Sequence, residues 1–350
     1  MGTRPIVGIG PLSPPITGPG LKNKYIKQGL ENAGIPVTWV NTLNRSPATV
    51  VDLVRQYRTA DRFLVSASTK VRFGTAPLLA RRLSSPDVDG ILLPAGGAFA
   101  TELQDLPAWL RRRYLGWFCQ FDCILPQSDE LVDELSDLFE GGVCLSTLPN
   151  LRPVPDDPPN FEPFVGTERP LRIAYVGRIK ETKGLHYLLD AVTQVNGSSD
   201  RVELDVFGHF LDGDDYKPRF LRQCESTPNA SFRGKLDNEQ VIPQLREYDV
   251  FAFPTYYPGE GFPGVLVEAF AAGCAILATD WNYNSELITD GTEGLLCQPE
   301  SVTDLQDKIE LLLDEPERVE QYRRNSWQKA QNYSVTSVTN ELLSHLQADH

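Results

Sequence analysis

The chain has 350 residues, 41 % of them hydrophobic and 23 % charged, a globular composition with room for roughly two domains, each able to bury its own core. Its formal charge of −14 argues against broad nucleic-acid binding, which needs Lys and Arg to neutralise phosphates. No apolar run reaches the roughly 18 residues of a membrane-crossing helix, and the N-terminus enters a strand-like segment without a secretory h-region, so the reading is cytoplasmic.

In chain order, short β-branched runs at residues 5–10, 36–41, 62–67, 90–94, 122–127 and 143–148 read as strands. Continuous apolar stretches such as Ile91-Leu92-Leu93 fit strands covered on both faces, as in a parallel sheet. Helix-like segments, among them 22–33 and 128–139, lie between them. Residues 152–170 then hold Pro153, Pro155, Pro158, Pro159, Pro163 and Pro170. Proline fixes φ and removes a donor, so this stretch reads as a linker.

The alternation restarts with strands at 172–177, 203–208, 230–234, 249–254, 275–279 and 294–297. Helices are predicted at 184–195, 238–246, 264–272, 302–313, 316–332 and 335–347. The fold class is α/β: two doubly wound, Rossmann-like domains at 1–151 and 171–332, with 333–350 as a terminal helical segment. Ligands of such sheets bind at the carboxyl ends of the strands, which predicts a site in a cleft between the domains. Of the six cysteines, Cys119, Cys123, Cys144, Cys224, Cys274 and Cys297, only Cys119 and Cys123 are close in sequence. No second pair completes a zinc pattern, so they read as reduced, buried thiols.

The most informative stretch runs from Pro254 to Gly273. A strand ends at Pro254, a Gly- and Pro-rich loop carries Glu260, and a helix opens near Gly264. Free amides and the helix dipole favour an anion at that point, which describes a diphosphate site. Glu268 stands one turn into an otherwise apolar helix, where a carboxylate is costly unless it meets donors such as ribose hydroxyls. In Val176-Gly177-Arg178-Ile179-Lys180-Glu181-Thr182-Lys183-Gly184, Arg178 and Lys183 flank a second loop on the same sheet edge. Arg offers a fork for phosphate oxygens and Lys a point charge.

Residues 176–184, 254–273 and 286–296, with Asp249-Val250-Phe251-Ala252-Phe253-Pro254 and Leu148-Pro149-Asn150, resemble the retaining family-4-type glycosyltransferases (glycosyl transferases group 1) of GT-B fold. The match is strong in the second half and looser in the first. The resemblance implies that Arg178 and Lys183 bind the donor diphosphate, Glu260 contacts the donor sugar, and Glu268 holds the nucleotide ribose. It places the backbone of Phe262, Pro263 and Gly264 against the sugar and that of Val265 and Leu266 against phosphate. Gly177 belongs to the same donor site, Lys235 and Leu236 lie near the base, and Gly18 and Gly20 belong to a glycine loop closing over the donor. The last helix is expected to cross back onto the first domain.

Two departures stand out. Asn282-Tyr283-Asn284 occupies the place of the family's usual glycine pair, which leaves the contacts of that loop open. The first half holds no histidine, where many relatives have one near the sugar; Ala95-Gly96-Gly97-Ala98-Phe99 falls in about that region. Asp212-Gly213-Asp214-Asp215 resembles the metal-binding motif of another glycosyltransferase fold, but reads here as a solvated loop because Arg178 and Lys183 already neutralise the diphosphate. No metal and no cofactor are expected beyond the nucleotide sugar itself. Residues 109–118 alternate Trp109, Tyr114, Trp117 and Phe118 with Arg111, Arg112 and Arg113. They read either as a helix packed by its aromatics or as a peripheral contact with the inner face of a membrane.

The expected reaction is transfer of a sugar from a nucleoside diphosphate to an acceptor hydroxyl, free or lipid-linked, with retention of configuration, in glycan, polysaccharide or glycolipid biosynthesis. Two alternatives remain at this level: a nucleotide-sugar epimerase of the same fold, and a non-catalytic nucleotide-sugar-binding partner.

Overall fold

A computed structural model describes residues 5–14, 17–44, 46–161, 164 and 169–347. The chain divides into two compact units, one of Met1–Pro153 with Tyr333–His350, the other of Val154–Asn332.

In the first unit the order is β1 (Ile6–Gly10), α1 (Gly18–Asn32), β2 (Val37–Asn41), α2 (Pro47–Thr59), β3 (Arg62–Ala67), α3 (Thr69–Leu83), β4 (Asp89–Pro94), α4 (Phe99–Gln104), α5 (Ala108–Phe118), β5 (Cys123–Ile124), α6 (Asp129–Phe139) and β6 (Cys144–Leu145). The second unit runs β7 (Leu171–Arg178), α7 (Leu185–Asn196), β8 (Val202–His209), α8 (Lys217–Ser226), β9 (Ala230–Gly234), α9 (Val241–Leu245), β10 (Val250–Phe253), α10 (Gly264–Ala272), β11 (Ala275–Thr279), α11 (Asn284–Leu287), β12 (Gly294–Cys297), α12 (Val302–Asp314) and α13 (Pro316–Ala330). The chain then returns to the first unit as α14 (Val335–Gln347).

Both sheets are parallel, in the orders β2-β1-β3-β4-β5-β6 and β12-β11-β10-β7-β8-β9. Strand order reverses between β1 and β3 in the first unit and between β7 and β10 in the second. At such a switch point two neighbouring crossovers leave on opposite faces and a crevice opens above the strand ends. Glycine lets the backbones approach there. An added Cβ at Gly10 would lie 1.9 Å from the Ser66 carbonyl oxygen, and one at Gly184 (φ +72°) 1.9 Å from that of Pro254. Helix starts follow from local chemistry: Thr17, Ser46, Ser128 and Ser301 each accept an amide of the first turn they precede.

Each unit has its own apolar core. α14 contributes Val338, Leu342 and Leu346 to the first, beside Leu21, Leu125 and Leu148. In the second, the strands contribute Ile173, Leu204, Val250 and Leu277, and α7 and α12 add Leu188 and Ile309.

Some elements differ from the sequence reading. The strands predicted at 122–127 and 143–148 shrink to two residues each, β5 and β6. Pro126 has no amide to donate, and past the two strands the pairing continues as separate bonds, among them Leu125 N to Leu92 O at 2.8 Å, Ser146 N to Ile124 O at 3.4 Å and Leu148 N to Pro126 O at 2.7 Å. The helix predicted at 238–246 divides into a 3-10 turn held by an Asp237–Gln240 capping box and the short α9. Of the proline-rich stretch, 162–163 and 165–168 lie outside the described residues. Arg152 pairs within the first unit, its amide donating to Tyr333 O at 3.1 Å, whereas residues 154–161 belong to the second: Arg246 donates to the Asp157 carbonyl at 2.8 Å, and the Arg324 guanidinium sits 4.8 Å from the Phe161 ring. Not every cysteine is buried as expected. Cys119 is half-buried and Cys144 exposed, because Cys144 stands on β6 at the edge of its sheet.

Candidate functional site

The site is built at the switch point of the second unit. β7 ends on Arg178, and the following turn carries Lys180 and Lys183 before Gly184 admits the chain into α7. β10, the neighbour of β7, ends at Phe253 and leads into the loop carrying Thr255, Tyr257 and Glu260. The two loops are joined side by side. Lys183 Nζ pairs with Glu260, which also accepts from Thr255 Oγ1 at 2.9 Å, while Tyr256 N donates to Thr182 O at 2.9 Å.

The electrostatics are lopsided. The Tyr257 ring has Arg178 at 5.7 Å, Lys180 at 5.0 Å and Lys183 at 5.1 Å from its centre, so three cations gather around one aromatic ring. Glu260 is the carboxylate that meets them. Burial lowers the Lys183 pKa, the Glu260 carboxylate opposes that shift, and Arg178 and Lys180 reinforce it. Arg178 Nε is buried and finds no hydrogen-bond partner. A partly desolvated cation cluster with an unused donor calls for an anion of more than one charge.

α10 begins on the same loop. Pro263 stands at its N-cap without a side-chain cap, and Gly264 is its first residue. The amides of Gly264 and Val265 precede the first intrahelical bond, whereas that of Leu266 already donates to Pro263 O at 3.0 Å. Leu266 therefore offers a ligand less than the sequence reading expected. Glu268 is 6 % exposed within α10, as a carboxylate held by specific partners must be. Phe262 is half-buried on the stretch between Glu260 and the helix start.

On the other side of β7, Gly177 and Gly208 bring β7 and β8 close: an added Cβ at Gly208 would meet the Gly177 carbonyl oxygen at 2.1 Å. Lys235, exposed, and Leu236, half-buried, follow β9. Burial lowers the pKa of His209 at the end of β8, and Lys235 and Arg178 lower it further, so the three groups are neighbours on one sheet edge. His186 is buried with its ring 3.4 Å from the Tyr216 hydroxyl, a structural placement.

Gly18 and Gly20 belong to the first unit, in the first turn of α1. Gly18 is open, but the Gly20 amide donates to Thr17 Oγ1 at 3.1 Å and so is engaged in the helix cap. Asp214 accepts from Tyr216 N at 3.0 Å in the turn before α8, and Asp212 and Asp215 are exposed. In α5, Tyr114 and Phe118 face Phe73 at 4.7 and 5.8 Å, whereas Trp109 is 70 % exposed.

Sequence reasoning missed four participants: Lys180, Tyr257, Trp281 and Asn282. The loop after β11 clamps the Glu260 loop. Trp281 Nε1 donates to Tyr257 O at 3.0 Å, and Asn282 Nδ2 to Glu260 O at 3.1 Å and Pro258 O at 3.3 Å. The available signal was the replacement of the glycine pair by residues 282–284, side chains with donors where none are usual.

Comparison with known proteins bears on the family and the fold. The model of the family "Glycosyl transferases group 1" matches residues 158–329. A glycogen synthase of Mycobacterium tuberculosis (strain ATCC 25618 / H37Rv) is 25 % identical over 241 residues, 67 % of this chain and 54 % of that protein. A phosphatidyl-myo-inositol mannosyltransferase of the same strain is 34 % identical over 135 residues, 38 % of this chain and 34 % of that protein. The chain thus spans about half the length, or less, of the curated relatives it matches. Among solved structures, Anabaena Alr3699/HepE in complex with UDP superposes with a TM-score of 0.74 at 17 % identity, covering 98 % of this chain and 100 % of that one. A glycosyltransferase from Rickettsia africae superposes at 0.75 and 12 % identity, over all of both chains. The fold is GT-B.

Proposed function

Residues 158–329, within the second unit, match the glycosyl transferases group 1 model, and from that premise we propose that the chain transfers a sugar from a nucleoside diphosphate to an acceptor hydroxyl with retention of configuration. The observation that carries the proposal is the Arg178–Lys180–Lys183 cluster at the switch point, which outnumbers its one paired carboxylate, Glu260, and whose buried Arg178 Nε has no hydrogen-bond partner. A diphosphate supplies the negative charge this cluster lacks. The amides of Gly264 and Val265 complete its cradle.

In the proposed reaction the bond between the anomeric carbon and the β-phosphate oxygen breaks, and its electron pair leaves on the diphosphate. Arg178 and Lys183 stabilise that charge as it forms. The acceptor oxygen bonds to the anomeric carbon from the same face, and its proton passes to the departing phosphate oxygen. Glu260, fixed by Lys183 and Thr255, orients the sugar hydroxyls, and Glu268 holds the ribose. The cations take the role a divalent metal has elsewhere. The relatives include polysaccharide and glycolipid enzymes, so the acceptor is sought among glycans and lipid-linked sugars.

A thermal-shift screen of nucleoside diphosphates and their sugars tests the binding half, starting with UDP because a protein of this fold is known with it. Stabilisation by none of them would remove the proposal. Product stereochemistry by NMR tests retention, and an inverted linkage overturns that part alone. The exposed Trp109 beside Arg111, Arg112 and Arg113 also fits an anionic membrane surface. The proposed contact is peripheral; among the described residues no helix is long and apolar enough to cross a membrane. Flotation with anionic liposomes is expected for the native chain and lost in Trp109→Ala; equal flotation with neutral lipid would refute it.

A further inference from the structure

Away from the switch point, three metal-ligating side chains converge in the first unit. Cys123 of β5 and Cys144 of β6 are register partners in the parallel ladder, so their side chains lie on the same face of the sheet. Their sulfurs are 2.7 Å apart. His345 of α14 brings a ring nitrogen to the same point, and all three ligand atoms lie within 4.8 Å of one another. Cys123 is buried among Leu125, Leu148, Leu342 and Leu346, whereas Cys144 is exposed at the sheet edge. An ion therefore has an open side from which to enter.

We propose that Cys123, Cys144 and His345 form a zinc site that ties the edge of the first sheet to the C-terminal helix. Two sulfurs and an imidazole are soft to borderline ligands, which select zinc over magnesium or calcium. Zinc bonded to two sulfurs at ~2.3 Å in tetrahedral geometry holds them somewhat under ~4 Å apart, so a modest rotation of the exposed Cys144 side chain accommodates it. The fourth position falls to water on the Cys144 side. Both thiols lose their protons on binding, and the ion carries the charge that replaces them.

The location gives the ion work to do. β5 and β6 are two residues long, and β6 is the edge strand, so few backbone bonds hold it. α14 joins the unit only after the whole second unit has been traversed. A bond network across these elements closes a very long loop, which constrains the unfolded chain most. The rival use of the two cysteines is a disulfide, which needs the sulfurs at ~2.0 Å and gives His345 no part. The convergence of the histidine favours the metal.

The test uses the full chain purified under reducing conditions, incubated with zinc chloride alone and desalted, with bound zinc measured by mass spectrometry. One zinc per chain is expected in the native protein, and none in Cys144→Ser or His345→Ala. Cobalt(II) in place of zinc is expected to give the strong visible bands of a tetrahedral site and thiolate charge-transfer absorption, a readout on the unmutated chain if a variant fails to fold. Absence of zinc and of a cobalt spectrum, zinc retained in both variants, or an intact mass short by two hydrogens under those conditions overturns the site. None of these outcomes depends on the transferase reading.

Discussion

Glu260 is held by Lys183, although the two residues are 77 positions apart and sit on loops leaving different strands. The pair is mostly buried, with side-chain exposures of 9 % for Lys183 and 13 % for Glu260. Removing one partner leaves the other charge desolvated and alone, a far larger penalty than loss of a surface ion pair. Lys183→Met is expected to lower kcat by roughly 100- to 1,000-fold, the usual cost of deleting a group aimed at developing charge. It also lowers the melting temperature, whereas Lys183→Arg keeps the charge and recovers part of both. Steady-state kinetics with the donor found in the screen measure the first effect and calorimetry the second. A Lys183→Met enzyme with native turnover removes the diphosphate role.

Trp281 and Asn282 hold the Glu260 loop through its backbone carbonyls rather than its side chains, which fixes the position of that loop. Each neutral hydrogen bond lost is worth about 1 kcal/mol, a several-fold change in an equilibrium. Asn282→Ala and Trp281→Phe are therefore expected to raise KM for the donor several-fold and to lower kcat less. A purely structural role would lower stability with both kinetic constants intact, and that pattern would refute positioning.

Burial, reinforced by Arg152 and opposed by Glu341, pushes the Lys22 amine down from its usual 10.5 to about 7. Its Nζ donates to Leu148 O at 3.3 Å. Because the folded-state pKa lies below the unfolded one, the cost of burying the charged amine is present in full below about pH 7 and fades as pH rises towards 10.5. Stability is thus expected to rise with pH across this window. Lys22→Met raises the melting temperature most below neutrality and least near pH 10. A variant less stable than the native chain at pH 6 contradicts this account.

In the proposed reaction Arg178, Lys180 and Lys183, which gather around the Tyr257 ring, supply the charge that a divalent ion would bring to a diphosphate. Turnover is expected to be the same with and without magnesium or manganese. An absolute requirement for either would overturn the metal-independent mechanism. The proposed zinc site does not enter this comparison, because hard-ion omission leaves a thiolate site untouched.

What the sequence settled on its own was local. The alternation of apolar runs and helix-like segments showed two doubly wound units, the cationic loop at 176–184 and the Pro- and Gly-rich run at 254–264 marked two loops suited to an anion, and Glu268 stood out as a carboxylate in an otherwise apolar helix. Propensity and pattern act over a few residues, so a single sequence carries them openly. What it left undecided were meetings between distant residues. The order of strands places β7 beside β10 and so brings Lys183 to Glu260. The same long-range pairing lets Trp281 and Asn282 clamp a loop more than twenty residues away, and sets Cys123 against Cys144 rather than against Cys119. Register and side-chain encounter depend on how whole elements stack, and that is decided by burying both faces of each sheet at once, not by any segment alone.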